Sequence, residues 1–394
     1  MWHRYRMKIP PSKSHTMRAL LFRHLAKKDC IIENILDAPE VHEFKKNLEN
    51  WDHLDSIDVK NSGLALHFFM ALACLRGKKT FLTGDFSIRH LRPVKPLVNA
   101  LSALGAKIAY LEKEGYAPLS IEGPICRGSV TIDGTNSQHV SSLLIALSQV
   151  EGESRIIVEN PSEKPYVQIT MDWLKKSGLN IENNAFKVFS FTGPIEVPFF
   201  HASIPPDYSS LAFVVAVHKI LDLHLDLTSL DIQDAQGDKE LFSFLEKESC
   251  SIIDTPDLLP ILMVLAVYKK GPMVIRGIHV ARQKESDRPY AMKMELEKMG
   301  AKIAIFAQED YLVVTPSILK GAKVQSHQDH RIAMSLAVAA IRANGATIIE
   351  GVQCVSKSFP NFFETFCPDW AAKIGKDDLG QVCIEPLQME FCRS

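Results

Sequence analysis

The sequence predicts an α/β protein with two similar compact domains, each built from three related units. One pattern occurs six times: an apolar helix rich in Ala, Leu and Ser, then a tight turn, then a β-branched strand. The chain has 394 residues, which is enough for about two domains. The copies are irregularly spaced, which argues against a uniform solenoid, and alternating helices and strands are typical of compact α/β domains.

The apolar helix of each unit is the strongest local signal. The predicted helices are Thr16–Ala26, Leu64–Leu75, Val140–Val150, Ser209–Ile220, Leu258–Tyr268 and Ile332–Ala343. The strands that follow them begin near Ile31, Thr80, Arg155, Leu223, Met273 and Ala346. A strand-like segment, Met7–Ile9, precedes the first unit.

A second, amphipathic helix follows in each unit and ends at a small residue before a strand. Glycine at this position is a common helix stop. The clear copies are Leu97–Leu104 and Met294–Met299, the weaker copies are Met171–Ser177 and Leu241–Glu248, and candidates for the first and last copies are Phe44–Leu54 and Phe362–Ile374.

Prolines punctuate the chain between the third and fourth units. The joint is placed at Phe199–Asp207, which contains Pro205 and Pro206. We therefore expect an N-terminal domain at residues 13–205 and a C-terminal domain at residues 206–374. Residues 375–394 carry charges without periodicity, so we expect a surface extension or a disordered tail.

Composition excludes several classes of partner. The net charge of -1 gives no general attraction to nucleic acid or to an anionic membrane, and no apolar run reaches the length of a membrane span. The eight cysteines lack metal-type spacing, which indicates reduced thiols in a cytoplasmic protein. The histidines lack such spacing too, so we expect no metal.

A polar cluster stands just before each apolar helix. The clusters are Lys13-Ser14, Asn61-Ser62-Gly63, Asn136-Ser137-Gln138, Asp207, Asp257 and Asp329-His330-Arg331. Helix N-termini carry unpaired N–H groups and partial positive charge. Six such ends facing one cleft would bind an anionic ligand.

Each cluster taken alone also has a purely structural interpretation. Ser14 is equally consistent with an N-cap, and Gln283–Arg288 with a solvated helix start. Cations at a helix start oppose the dipole, so Lys13 and Arg331 predict an anionic partner. Arg18 lies one turn from Ser14 on the same face.

Eight motifs resemble the 5-enolpyruvylshikimate-3-phosphate synthase (3-phosphoshikimate 1-carboxyvinyltransferase) family, in family order. They are Pro11-Ser12-Lys13-Ser14, Leu82-Thr83-Gly84-Asp85 with Arg92-Pro93, Asp133-Gly134 with Ser137-Gln138, Lys164-Pro165-Tyr166, Thr255-Pro256-Asp257, Lys284-Glu285-Ser286-Asp287-Arg288, Asp329-His330-Arg331-Ile332-Ala333-Met334, and Lys357-Ser358-Phe359-Pro360. The resemblance implies the enolpyruvyl transferase fold, an inside-out α/β barrel. Each domain then has three βαβαββ-type repeats with inward-packed helices, and residues 1–12 join the C-terminal domain.

The resemblance also implies a reaction between shikimate 3-phosphate and phosphoenolpyruvate in a cytoplasmic monomer without a cofactor. It assigns proton transfer to Lys13, Asp257 and Glu285. The residues expected to bind phosphoenolpyruvate are Lys13, Gly63, Arg92, Gln138, Arg288, Arg331 and Lys357. Those expected to bind shikimate 3-phosphate are Lys13, Ser14, Arg18, Asn136, Ser137, Gln138, Ser162, Tyr166, Asp257 and Lys284. Glu163 aligns with a family serine better than Ser162 does.

Several positions depart from the family pattern. Leu64 replaces a threonine, and His67 replaces an arginine beside the phosphoenolpyruvate site, which predicts weaker binding of that substrate. Two alternatives stay open: the related transferase acting on UDP-N-acetylglucosamine, and a noncatalytic anion-binding relative. The mobile-loop cysteine expected for the first alternative is missing from Asp85–Pro93.

Overall fold

The structure is a computed structural model that describes residues 9–224, 233–367, 371–377 and 381–387. It divides into two compact units. The N-terminal unit comprises Pro11–Pro205 and Asp234–Gly237, and the C-terminal unit comprises Met1–Pro10, Pro206–Gln233 and Asp238–Ser394. The domain limits expected from the sequence differ in two places, because Pro11-Ser12 and Asp234–Gly237 fall in the N-terminal unit.

The N-terminal unit contains seven α-helices and ten strands among its described residues. The helices are α1 (Lys13–Ala26), α2 (Pro39–Glu49), α3 (Gly63–Ala73), α4 (Phe86–His90), α5 (Lys95–Ala103), α6 (Ser137–Leu147) and α7 (Lys164–Lys176). The strands are β1 (Ile31–Glu33), β2 (Ser56–Asp58), β3 (Thr80–Thr83), β4 (Lys107–Tyr110), β5 (Leu119–Glu122), β6 (Ser129–Asp133), β7 (Gly152–Glu159), β8 (Glu182–Asn184), β9 (Val188–Gly193) and β10 (His201–Ser203).

The C-terminal unit continues the same pattern. Its helices are α8 (Tyr208–Ile220), α9 (Leu241–Phe244), α10 (Leu259–Val267), α11 (Arg288–Lys298), α12 (His330–Ala340) and α13 (Phe362–Thr365). Its strands are β11 (Ser249–Ser251), β12 (Met273–Arg276), β13 (Lys302–Phe306), β14 (Tyr311–Thr315), β15 (Lys323–Gln325), β16 (Thr347–Glu350), β17 (Ala372–Lys376) and β18 (Val382–Pro386).

Four sheets share one topology, two in each unit. Their strand orders are β2-β3-β5-β4, β6-β7-β9-β8, β11-β12-β14-β13 and β15-β16-β18-β17. In each sheet the first pair is parallel and joined through an apolar helix, and the other two pairs are antiparallel. This is the βαβαββ repeat, so the expected fold class is confirmed. A fifth, two-stranded sheet pairs β1 with β10 in parallel.

The apolar helices lie inside the repeats. Every residue of α3, α10 and α12 is buried. In α6 only Gln138 is partly exposed, and in α8 only Lys219 is exposed. A helix that is apolar all round must be covered all round. Two separate hydrophobic cores result, one in each unit. None of the helices in the described ranges is long and apolar enough to span a membrane.

The expectation of an extension without regular structure from residue 375 is wrong for the described part of that segment. β18 pairs with both β16 and β17, and Val382 and Ile384 have no exposed surface. Five residues are too few for alternation to be clear, and the partner strand β16 is distant in sequence. Leu241–Glu248 also differs, because helix α9 ends at Phe244.

Two further expectations fall partly outside the described residues. The opening strand Met7–Ile9 includes residues 7–8, and the strand beginning near Leu223 runs into residues 225–232. Both stay predictions. The remaining apolar helices agree with the sequence analysis, although each begins one to three residues earlier than predicted except α10, which begins one residue later.

Candidate active-site residues

In the N-terminal unit, Lys13 is the first residue of α1 and is held by a carboxylate. Its Nζ lies 3.3 Å from Glu40 Oε2, and the other oxygen of Glu40 accepts a hydrogen bond of 2.5 Å from Ser62 Oγ. Glu40 is therefore an anionic partner of the kind that the sequence predicted for Lys13. Glu40 does not stand out in the sequence, because a carboxylate in the first turn of a helix, here α2, is an ordinary feature.

The cap of α1 is Ser12, whose Oγ accepts from the backbone N–H of His15. The interpretation of Ser14 as the N-cap is therefore wrong, because the helix begins one residue before it. Ser14 lies in the first turn, and its carbonyl accepts a hydrogen bond of 3.0 Å from Arg18.

Arg18 is fully buried and ties α1 to α7. Its guanidinium donates to Thr170 Oγ1 at 2.8 Å and to the carbonyl of Tyr166 at 3.0 Å. Burial lowers the pKa of Arg18 to about 9. Both Arg18 and Tyr166 are expected to bind shikimate 3-phosphate, and the structure brings them into direct contact through this carbonyl.

Three residues expected to bind phosphoenolpyruvate converge at the start of α3. A Cβ added at Gly63 would lie 2.0 Å from Arg92 Nη1 and 3.2 Å from Gln138 Oε1. Gly63 is thus the residue that lets the Arg92 guanidinium approach the helix N-terminus so closely. Arg92 is 7% exposed, so its side chain is largely buried at this helix start.

His67 lies one turn further along α3 and is completely buried. Its Nδ1 donates to the Gly63 carbonyl at 2.6 Å, and its ring centroid lies 5.0 Å from that of His139. Burial lowers the pKa of His139 to about 4. His67 therefore fixes the backbone at Gly63, a role that its sequence position beside a binding loop did not reveal.

The residues expected around the start of α6 are also close together. Asn136 caps the helix by accepting from the backbone N–H of Gln138 at 2.9 Å. Ser137 donates to the carboxylate of Glu163, and Ser162 Oγ donates to the carbonyl of Asn160 at 3.2 Å. Of these two neighbouring residues, it is Glu163 whose side chain reaches α6.

In the C-terminal unit, Arg288 organises three carboxylates. Its Nε donates to Asp329 Oδ2 at 2.8 Å, its Nη1 to Asp257 Oδ1 at 2.6 Å, and its Nη2 to Glu285 Oε2 at 2.8 Å. The Arg288 side chain is 1% exposed. Burial alone would lower its pKa, but Asp329, Asp257 and Glu285 raise that pKa well above the ordinary value.

Two more cations complete this network. Arg331 Nη2 lies 2.9 Å from Asp257 Oδ2, and Lys357 Nζ lies 3.1 Å from Glu285 Oε1. Burial would raise the pKa of Asp257, but Arg331 and then Arg288 and Lys284 lower it well below its usual range. Asp257 is therefore held as a carboxylate.

Asp238, a buried carboxyl on the segment before α9, is not among the residues predicted from the sequence. Ser209 Oγ donates to Asp238 Oδ2. Burial, with a further contribution from nearby Asp257, raises the pKa of Asp238 to about 7. The only sequence signal was a lone Gly-Asp pair, which is typical of an ordinary turn.

The remaining features concern metals and the segment Asp85–Pro93. Within the described ranges, no group of three or more His, Cys, Asp or Glu side chains is arranged to hold a metal ion. Asp85 caps the short helix α4 by accepting from Ser87 and Ile88. That segment contains no cysteine.

Known proteins resemble this chain over most of its length. A family model described as EPSP synthase (3-phosphoshikimate 1-carboxyvinyltransferase) matches residues 40–257 and 243–366. Curated relatives named 3-phosphoshikimate 1-carboxyvinyltransferase include those of Chlamydia caviae, 34% identical over 90% of this chain and 89% of the relative, and Chlamydia muridarum, 36% identical over 90% of each. A solved EPSP synthase structure from Acinetobacter baumannii superimposes with a TM-score of 0.72 at 21% identity, covering 91% of this chain and 94% of the other.

Proposed function

Because this chain belongs to the EPSP synthase (3-phosphoshikimate 1-carboxyvinyltransferase) family, we propose that it transfers the enolpyruvyl group of phosphoenolpyruvate to the 5-hydroxyl of shikimate 3-phosphate and releases phosphate. The observation that carries the proposal is the buried network around Arg288. It combines two candidate proton carriers, Glu285 and Asp257, with the cations Arg331 and Lys357. Two anionic substrates need such cations, and the chemistry needs proton transfer.

The reaction is an addition followed by an elimination. A proton adds to the methylene carbon of phosphoenolpyruvate, and the 5-hydroxyl oxygen forms a bond to the neighbouring carbon while losing its own proton. The tetrahedral intermediate then loses a proton from the new methyl group and expels phosphate, which restores the double bond. Each step needs a group that holds or moves a proton beside the reacting atoms.

We propose that proton transfer falls to Glu285 and Lys13. Glu285 lies between Arg288 and Lys357, which fix both of its oxygens. Asp257 stays the third candidate, because Arg331 and Arg288 hold it as a carboxylate, the form that accepts a proton. Its proposed role is to accept a hydrogen bond from a substrate hydroxyl and to orient Arg331.

The binding roles follow from charge and geometry. Arginine forks suit carboxylate and phosphate groups, so Arg92, Arg288 and Arg331 are proposed to hold phosphoenolpyruvate, with Lys357 as a further cation. Lys13, Gly63 and Gln138 complete that set. The residues proposed to hold shikimate 3-phosphate are Lys13, Ser14, Arg18, Asn136, Ser137, Gln138, Ser162, Tyr166, Asp257 and Lys284.

Phosphate release in the presence of both substrates tests the proposal. We expect release that requires phosphoenolpyruvate and shikimate 3-phosphate together, and none with UDP-N-acetylglucosamine as the acceptor. Binding of both substrates without release would instead indicate the noncatalytic relative. Neither alternative is favoured by the matched family or by the names of the relatives.

The cytoplasmic location and the monomeric state expected from the sequence also stay proposals. The cytoplasmic location is supported by Cys30, Cys74 and Cys250, which are buried free thiols in the described part of the chain. Sedimentation of the purified chain at several concentrations would test the monomer.

A further inference from the structure

The N-terminus of α6 is already bound to a carboxylate of the chain itself. Glu163 Oε2 accepts a hydrogen bond of 3.0 Å from the backbone N–H of Ser137 and one of 2.7 Å from its hydroxyl. Glu163 is 2% exposed and Ser137 is 3% exposed. A buried anion at a helix N-terminus is stabilised by these donors and by the helix dipole.

The backbone around Glu163 directs this side chain toward α6. Glu163 is the N-cap residue of α7, yet its side chain forms no cap hydrogen bond with that helix. Its φ of 52° is in the left-handed region. The preceding residue, Ser162, donates its backbone N–H to the carbonyl of Gly134, in the loop that leads to α6. The carboxylate is thus held on Ser137 by the packing of two loops.

Under the proposed function, Ser137 is also a donor to shikimate 3-phosphate. A serine hydroxyl and a helix N-terminus together suit a phosphate group. The Glu163 carboxylate uses these two donors, and a phosphate brought beside it would meet a like charge.

We propose that Glu163 lowers the preference of the site for shikimate 3-phosphate over shikimate by competing internally for the phosphate-binding donors of Ser137. The inference rests on the proposed function and adds a selectivity to it. The phosphate of shikimate 3-phosphate binds only when the Glu163 carboxylate leaves Ser137. Shikimate, which has the same ring and carboxylate but no phosphate, does not require this displacement.

Two variants test the competition by calorimetric titration of the full chain with shikimate 3-phosphate and, separately, with shikimate. Glu163→Ser removes the charge and leaves a small neutral hydroxyl, so the Kd for shikimate 3-phosphate should fall by at least about tenfold, because like-charge juxtaposition in a binding site is costly. Glu163→Gln keeps an acceptor for Ser137 without the charge, so it should give a smaller decrease. The Kd for shikimate should change by less than about twofold in both variants.

Glu159→Gln is the matched control, because it removes one negative charge from an exposed side chain four residues earlier. It should leave both affinities within about twofold of those of the unaltered chain. An equal gain with Glu159→Gln would mean that general charge, not contact with Ser137, governs the affinity, and would overturn the inference.

Other results would also overturn it. If Glu163 is only a structural cap for α6, both variants will lower the melting temperature without improving the affinity for shikimate 3-phosphate. An equal gain for shikimate and shikimate 3-phosphate would place the substrate carboxylate, not the phosphate, on Ser137. Failure of the proposed function would give a different result. Glu163→Ser would bind shikimate 3-phosphate more tightly, but no form of the chain would release phosphate from phosphoenolpyruvate.

Discussion

Arg288 and Asp329 form a buried ion pair in which Arg288 Nε lies 2.8 Å from Asp329 Oδ2, with side chains 1% and 0% exposed. Ser286 also donates to the same carboxylate oxygen, at 3.1 Å. The pair connects the first turn of α11 with the cap of α12, since Asp329 also accepts from the backbone N–H of Arg331 at 2.9 Å. A buried pair costs desolvation, so each partner depends on the other.

Replacing Arg288 by alanine should therefore destabilise the chain strongly. Asp329 would be left as a buried charge without its guanidinium, and loss of one partner of a buried pair typically costs about 3–5 kcal/mol. Urea denaturation of both proteins measures the difference. Arg282→Ala is the control, because the Arg282–Asp287 pair has the same charge types but side chains 45% and 38% exposed. A loss of stability no greater than that of the control would contradict a structural role for the buried pair.

Glu285→Gln should slow enolpyruvyl transfer while largely sparing substrate binding. The amide keeps the size of the side chain and one acceptor for Arg288 or Lys357, but it cannot act as a general acid or base. A general acid–base group is worth roughly 10²–10⁴ in rate, so kcat should fall by that factor. Steady-state kinetics gives kcat, and calorimetry gives the two Kd values.

The control for this charge change is Glu309→Gln, an exposed carboxylate between β13 and β14. Its kcat should equal that of the unaltered chain. If Glu285→Gln also turned over at the parent rate, Glu285 would only hold Arg288 and Lys357 in place.

The buried Asp238 should make stability depend on pH. Its pKa is raised from 3.8 to about 7. Between these two values the folded chain keeps a proton that the unfolded chain has released, so the stability due to this group falls as the pH rises. The amide introduced by Asp238→Asn does not titrate. The free energy of unfolding of this variant minus that of the parent should therefore rise by roughly 1–3 kcal/mol from pH 5 to pH 8.

Urea denaturation at both pH values measures this difference. Asp222→Asn, at an exposed position of the same unit, serves as the control and should show a constant difference. A constant difference for Asp238→Asn as well would mean that Asp238 titrates alike in the folded and unfolded chains.

Gly63→Ala should weaken phosphoenolpyruvate binding with little effect on the fold. The new Cβ would meet Arg92 Nη1 at 2.0 Å, and the end of an arginine side chain moves more easily than the backbone. Because alanine favours helix more than glycine does, the melting temperature should not fall. The Michaelis constant for phosphoenolpyruvate should rise by about tenfold or more, since a bidentate charged contact is worth roughly 1.5–3 kcal/mol.

Gly77→Ala provides the comparison, because its Cβ would meet only Pro124 Cδ, at 3.9 Å. That variant should keep the parent Michaelis constant. An unchanged constant for Gly63→Ala would show that Arg92 does not need its position over α3 to bind the substrate.

The sequence by itself determined the repeated apolar helices and the class of fold. Apolar residues on every face of α3 and α12 require burial of the whole helix, whatever the partner is. The sequence also located the polar residues that precede these helices, because caps and first turns depend on neighbours a few positions away. Gly63 and Gln138 lie together beside Arg92, and Asp257 and Arg331 lie in the network around Arg288.

Only the tertiary structure decided which charges and strands meet. Glu40 joins Lys13 across 27 positions of sequence, Glu163 joins Ser137 across 26, and Arg288 joins Asp329 across 41. The place of β18 between β16 and β17, and the raised pKa of Asp238, likewise come from distant segments. Local periodicity fixes what each segment becomes, whereas burial and Coulomb energy depend on which segments pack together.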